Sequence, residues 1–97
     1  MKYSIITLIR KLNGVSTIQK TILYTLASRM NADDICWPSL SHLAKECCLT
    51  RAALCRNLNQ LIDLGIVHKK MYFFSTKSNE YKICEKRLNE LVNKDCG

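Results

Sequence analysis

Proline occurs only once in the chain, and no repeat or low-complexity tract interrupts it. With apolar residues at 47% of the sequence, that composition argues for a packed globular fold and against disorder. Long hydrophobic runs are also missing. The nearest approach is Ile5, Ile6, Leu8 and Ile9 behind Lys2, which is too short for a secretory signal and is closed by Arg10 and Lys11. Nothing elsewhere nears the roughly 18 apolar residues of a membrane span. The expectation is a cytoplasmic protein with no membrane partner. Signatures of catalysis are absent too: there is no Gly-rich phosphate loop and no paired-carboxylate arrangement, and His42 and His68 have no neighbour that suggests a triad. An enzyme, a cofactor and a small-molecule substrate are therefore not expected.

Acidic residues are in the minority, 8 Asp plus Glu against 15 Lys plus Arg, which leaves a formal charge of +7 and a pI near 9.3. A polyanion is the natural partner of such a surface, although a basic excess can serve solubility alone. Cysteine is plentiful, six in 97 residues, but the spacing is wrong for a framework. Cys47 and Cys48 are adjacent, Cys36, Cys55, Cys84 and Cys96 fall singly, and no C-x-x-C is present. Without an export signal these read as reduced, buried thiols packed as small hydrophobes, with no metal site. The alternatives are a zinc site using His42 with some of the cysteines, or a redox sensor.

At this length one domain is expected. Ser4 is placed to cap an amphipathic helix with Ile5, Leu8, Ile9 and Leu12 on one face and Gly14 past its end. Ser16 with Gln19 fits a capping box ahead of Ile18, Ile22, Leu26 and Met30, on a helix running to about Asn31. A turn at 31–34 leads to a very short strand, Ile35-Cys36-Trp37, stopped by Pro38. Ser39 then caps a helix whose inner positions are Leu40, Leu43, Ala44 and Cys47. A tight turn at Cys48-Leu49 must follow, because Thr50 is the next good N-cap. The helix over 51–64 buries Leu54, Leu58, Leu61 and Ile62 and ends at Gly65; Ala52, Arg56, Asn59 and Gln60 face away, with Arg51 and Cys55 at the flank. From Ile66 the pattern turns strand-like, at Ile66–His68 and at Met71–Phe74. A polar turn at 75–79 and a return strand over 80–84 complete a hairpin. A short helix over 85–94 follows, with Leu88, Leu91 and Val92 inward.

Two helices joined by a tight turn, the second bearing arginines on its free face and followed by a basic hairpin, describe a winged helix-turn-helix. The fold class is thus mainly α with a small β-hairpin. It divides into an accessory N-terminal helix (1–14), a core with wing (16–84) and a C-terminal helix (85–97). The stretches 16–20, Cys36-Trp37-Pro38-Ser39-Leu40, Leu43-Ala44-Lys45-Glu46, 61–66 and Ser78-Asn79-Glu80-Tyr81-Lys82-Ile83 resemble the winged helix-turn-helix domains of bacterial plasmid and phage replication initiators and of small transcriptional regulators. The resemblance implies binding to double-stranded DNA, with the 51–64 helix in the major groove and a wing over 69–82 on the backbone. Members often have Gly where this chain has Cys48, and a second basic residue where it has Ala52. Arg51, Arg56 and Asn59 are left as the candidate base contacts.

The DNA-contacting set expected from position and chemistry is Thr50, Arg51, Ala52, Cys55, Arg56 and Asn59 on the helix, with Lys69, Lys70, Lys77 and Ser78 on the wing. Lys69 and Lys70 could instead guard an edge strand, and Trp37 and Tyr81 read as core rather than base-stacking residues. Ile5, Leu8, Ile9, Leu12, Leu88, Leu91 and Val92 form two stripes on helices too short to stand alone. Pairing with a second copy is the expected way to cover them, giving a homodimer. The same short end helices point to a stand-alone regulator. The competing functional class is a winged-helix protein-interaction module, or a thiol- or metal-responsive regulator.

Overall fold

The computed structural model describes residues 3–70 and 79–96. The expected strand at Met71–Phe74, the turn after it, and with them Lys77 and Ser78, lie outside the described residues. Five helices and a three-stranded antiparallel sheet make up the rest, a mostly helical fold consistent with a winged helix-turn-helix.

The first helix, α1 (Tyr3–Lys11), begins one residue before Ser4, so Ser4 falls inside it rather than at its cap. The second, α2 (Thr17–Arg29), starts as its sequence dictates: Ser16 accepts from the Gln19 amide and the Gln19 side chain accepts from the Ser16 amide. Its inner face departs from the expected one at its first position. Gln19, Ile22, Leu23, Leu26 and Ala27 are buried while Ile18 is 43% exposed. Residues at four-residue steps drift by about 40° per step on a 3.6-residue helix, so the four do not all stay on one face: Ile18 turns outward while Ile22, Leu26 and Met30 are buried as expected. Gln19 takes the inward position because its side-chain amide donates to the Gln60 side-chain oxygen, joining α2 to the fourth helix.

Asn31 builds the following turn by accepting from the Asp33 and Ile35 amides, and β1 (Ile35–Cys36) follows. Next come α3 (Leu40–Glu46) and α4 (Arg51–Asp63). Between them Cys48 sits at φ 57. Its amide donates to Lys45 O and the Leu49 amide to Ala44 O, the paired bonds that close a helix with a left-handed residue. The end of α4 repeats this arrangement with Gly65 at φ 80, its amide donating to Ile62 O and that of Ile66 to Leu61 O. On α4, Leu54, Leu58 and Leu61 are buried as the spacing requires.

Strands β2 (Val67–Lys70) and β3 (Glu80–Ile83) are antiparallel, and β1 joins the free edge of β3, giving the order β1-β3-β2. Tyr81 and Ile83 are buried while Lys82 between them is exposed, so one face of the sheet lies on the helices. Finally α5 (Glu85–Cys96) packs against α1, and α1 against α2. This corrects the reasoning that led to a dimer. Ile5, Ile9, Leu12, Leu88 and Val92 are buried within the single chain, and Leu8 and Leu91 are half-buried against the same core. Most of the two stripes is therefore covered within the chain, and Leu8 and Leu91 keep part of their surface open.

Candidate nucleic-acid interface

The first turn of α4 is set by Thr50, whose hydroxyl accepts from the Ala53 amide at 3.1 Å. That cap, the Cys48 turn and the buried leucine stripe together fix which residues look outward. Arg51, Ala52, Arg56, Asn59 and Gln60 are exposed and Cys55 is half-buried. The helix is tied to its neighbours at its C-terminal end. Gln60 is joined to Gln19 of α2, and the Arg87 guanidinium of α5 donates to Leu64 O at 2.9 Å while pairing with Glu90 at 3.2 Å.

Ion pairing separates the cations. Arg29 pairs with Glu46, which also takes His42 at 3.1 Å, on the side formed by α2 and α3. Arg51 and Arg56 have no carboxylate partner among the described residues. The strands sort their lysines further. The register sets Lys69 beside Tyr81, on the face of the sheet that lies toward the helices, and His68 beside Lys82 on the opposite face. Lys70 stands across the ladder from Glu80, an opposite-charge pair. Among the described residues, Lys69 is therefore an exposed wing cation on the face of the sheet that lies toward the helices.

A cleft of about 400 Å³ opens where these elements meet. Pro38, Ser39, Leu40 and Ser41 at the start of α3 form one wall, Arg51 at the head of α4 a second, and Asn79 and Tyr81 the third. Sequence reasoning placed Arg51 here but missed the other side chains. The Trp-Pro-Ser and Ser-Asn-x-Tyr motifs carried the signal, since Pro38 and Ser39 of the first and Asn79 and Tyr81 of the second line this cleft. Trp37, expected in the core, is 46% exposed just before Pro38. The two-residue β1 leaves it no inner face to occupy. Tyr81 does pack in the core, as expected. Burial pushes its phenol above the ordinary value; a hydrogen bond with the Asn79 side chain works the other way, and Cys55 and Cys36 lie close enough to add to the rise.

The cysteines do not share one environment. Cys36 and Cys47 are buried, Cys55 and Cys84 half-buried, and Cys48 is exposed in the turn, against the expectation of burial. Burial pushes the Cys36 thiol up to about 11, with Arg29 pulling weakly the other way, and its Sγ donates to Tyr81 O at 3.7 Å. Cys47 donates to the Thr25 hydroxyl. Among the described residues no group of three or more His, Cys, Asp or Glu side chains is arranged to hold a metal ion, and no helix is long and apolar enough to cross a membrane.

Residues 13–67 match the family described as helix-turn-helix domain, a segment that runs from the end of α1 through α4 to the first residue of β2. No curated protein and no solved structure matches the chain.

Proposed function

The chain belongs to the helix-turn-helix domain family, and from that premise we propose that it binds double-stranded DNA in a sequence-specific manner, as a small regulator of transcription or of plasmid or phage replication. In this reading α4 enters the major groove, Arg56 and Asn59 reach base edges, and Lys69, Lys70 and Lys77 follow the phosphate backbone beside Thr50, Arg51 and Ser78. The observation that carries the reading is the outward face of α4. Two arginines without carboxylate partners among the described residues stand on it with Asn59, opposite a buried leucine stripe that holds the helix rigid.

A protein partner could use the same face, and salt separates the two cases. Each phosphate neutralised contributes about 0.9 to the slope of log affinity against log salt, whereas a protein contact has no counterion atmosphere to release. Anisotropy titration of a random labelled duplex at two salt concentrations is expected to give a steep slope; salt-independent or absent binding would exclude DNA. Selection of sites from a random duplex library then yields the preferred sequence. Against that sequence Arg56→Ala is expected to cost about 1–3 kcal/mol, the worth of a bidentate base contact, while random-duplex binding changes little. A two-fold pair of domains would set two recognition helices about 34 Å apart and select a repeated half-site.

A further inference from the structure

We propose that Gln19 is a positioning residue for base recognition: through Gln60 it fixes the rotation of α4 about its own axis, and with it the aim of Arg56 and Asn59 into the groove. The inference rests on the DNA-binding reading above and adds to it a part for two side chains that touch no base.

Three observations carry it. First, Gln19 is the one polar side chain buried in the core among the described residues, 7% exposed, on a face it shares with Ile22, Leu23 and Leu26. A buried amide has a desolvation cost that a methionine of similar length would avoid, so stability alone does not account for it. Polar groups kept in a core are best attested as fixing register and orientation. Second, that amide has no choice of orientation. Its oxygen accepts from the Ser16 amide at 3.2 Å, and because a backbone N–H can only donate, its nitrogen is the group left to donate to the Gln60 oxygen. The Ser16 hydroxyl accepts in turn from the Gln19 backbone amide at 3.1 Å, so the residue is tied to the cap of α2 independently of α4. Third, Gln60 stands at the edge of the presented face. It follows Arg56 by four residues, about 40° round the helix, and lies about 100° from Leu61 of the buried stripe. Leucine packing limits how deep α4 lies, but it is non-directional; a hydrogen bond at the edge of the helix limits its rotation. The leverage is large. Rotation by about 10° carries an atom about 6 Å from the axis through about 1 Å, roughly twice the spread of good N–H···O distances.

The test is a set of anisotropy titrations on the selected and the random duplex, with salt slopes and thermal midpoints, for wild type, Gln19→Met, Gln60→Met, the double variant and Gln19→Glu. Gln19→Met is expected to weaken the selected duplex by about fivefold to tenfold, the lower part of the range for a lost base contact, with random-duplex affinity and salt slope unchanged. Its midpoint should stay within about 5 °C of wild type, since the Ser16 hydroxyl still caps the helix and the exposed Gln60 returns to water. Gln60→Met should lose the same discrimination and more stability, because it strands the buried Gln19 nitrogen without an acceptor. The double variant should discriminate no worse than either single variant and recover the midpoint of Gln19→Met. Gln19→Glu keeps the bond from Ser16 and can accept from a turned Gln60 amide, so it should retain discrimination. Unchanged discrimination in a folded Gln19→Met would overturn the proposal and leave the pair as packing alone. Further loss on adding Gln60→Met to Gln19→Met would overturn it too, by making Gln60 a direct contact, with the DNA-binding reading intact. Should Gln19→Met not fold, Gln60→Met and Gln19→Glu decide: discrimination lost in the first and kept in the second supports the clamp, and equal discrimination in both overturns it. Absence of salt-dependent binding in the wild type would remove the DNA-binding reading and this one together.

Discussion

At the scale of single residues, two cysteines show how one side chain takes opposite parts in different surroundings. Cys48 occupies the left-handed position that closes α3, a conformation that costs a residue with a Cβ roughly 1–2 kcal/mol. Its side chain is exposed, so truncation loses no packing. Cys48→Gly relieves that strain but returns about 0.4–1 kcal/mol through the more flexible unfolded chain. The strain is the larger quantity, and a net gain of about 0.5–1 kcal/mol in urea unfolding is expected; a loss would mean that the thiol contacts something that strain does not account for. Cys36 is the reverse case, buried and held neutral with its thiol pushed up to about 11 by burial. A folded value above the ordinary value of 9.0 means that the folded state holds the proton more tightly. Its contribution is complete below pH 9 and is lost as pH rises toward 11. Wild type should therefore lose more stability over that interval than Cys36→Ala, measured by denaturant midpoints at stepped pH. Equal losses would place the thiol in contact with water.

Among the elements, α4 was the most legible in the sequence, and the reason is that its limits are local. Thr50, the turn before it, the leucine spacing and Gly65 are all set by neighbours within a few residues. Thr50→Ala removes the bond to the Ala53 amide and is expected to cost about 1 kcal/mol, read as a shift of midpoint at constant m-value. An unchanged midpoint would mean that the leucine stripe alone holds the first turn. The capping box of α2 was legible for the same reason, and so were Ile22, Leu26 and Met30 on its buried face; the first inward position was not, because the choice between Ile18 and Gln19 is decided by Gln60, which lies 41 residues away. Exposure of Trp37 was hidden likewise. A two-residue strand has no periodicity, and its place beside β3, from Cys36 opposite Tyr81 and Ile35 opposite Lys82, depends on the far end of the chain. The candidate site divides along the same line: its helical half follows from spacing, whereas the cleft at Arg51 needs Asn79 and Tyr81 brought up by the sheet.

For the molecule as a whole, the decisive feature is that its two ends are packed on each other. Helices of 9 and 12 residues are marginal alone in water, so α1 and α5 exist because Ile5, Ile9, Leu12, Leu88 and Val92 share one buried cluster with the core of the motif. Polar ties reinforce that packing, since Lys20 of α2 donates to Arg10 O at the end of α1 and Arg87 of α5 to Leu64 O behind α4. The Cα radius of gyration, 13.0 Å, is that of a compact chain of about 100 residues. If the termini and the motif share a core, they must melt together. Ile9→Ala tests this at a site far from the proposed DNA face. Removing a fully buried isoleucine side chain should cost about 2–5 kcal/mol. The loss should appear equally in far-ultraviolet circular dichroism, which sees all five helices, and in the fluorescence of Trp37, which sees the junction of β1 and α3. Coincident transitions in wild type and variant are the expected outcome for one cooperative unit. A variant whose helical signal falls early, while Trp37 keeps its wild-type midpoint, would show instead that α1 and α5 unfold as a separate layer. The helix-turn-helix would then stand without them.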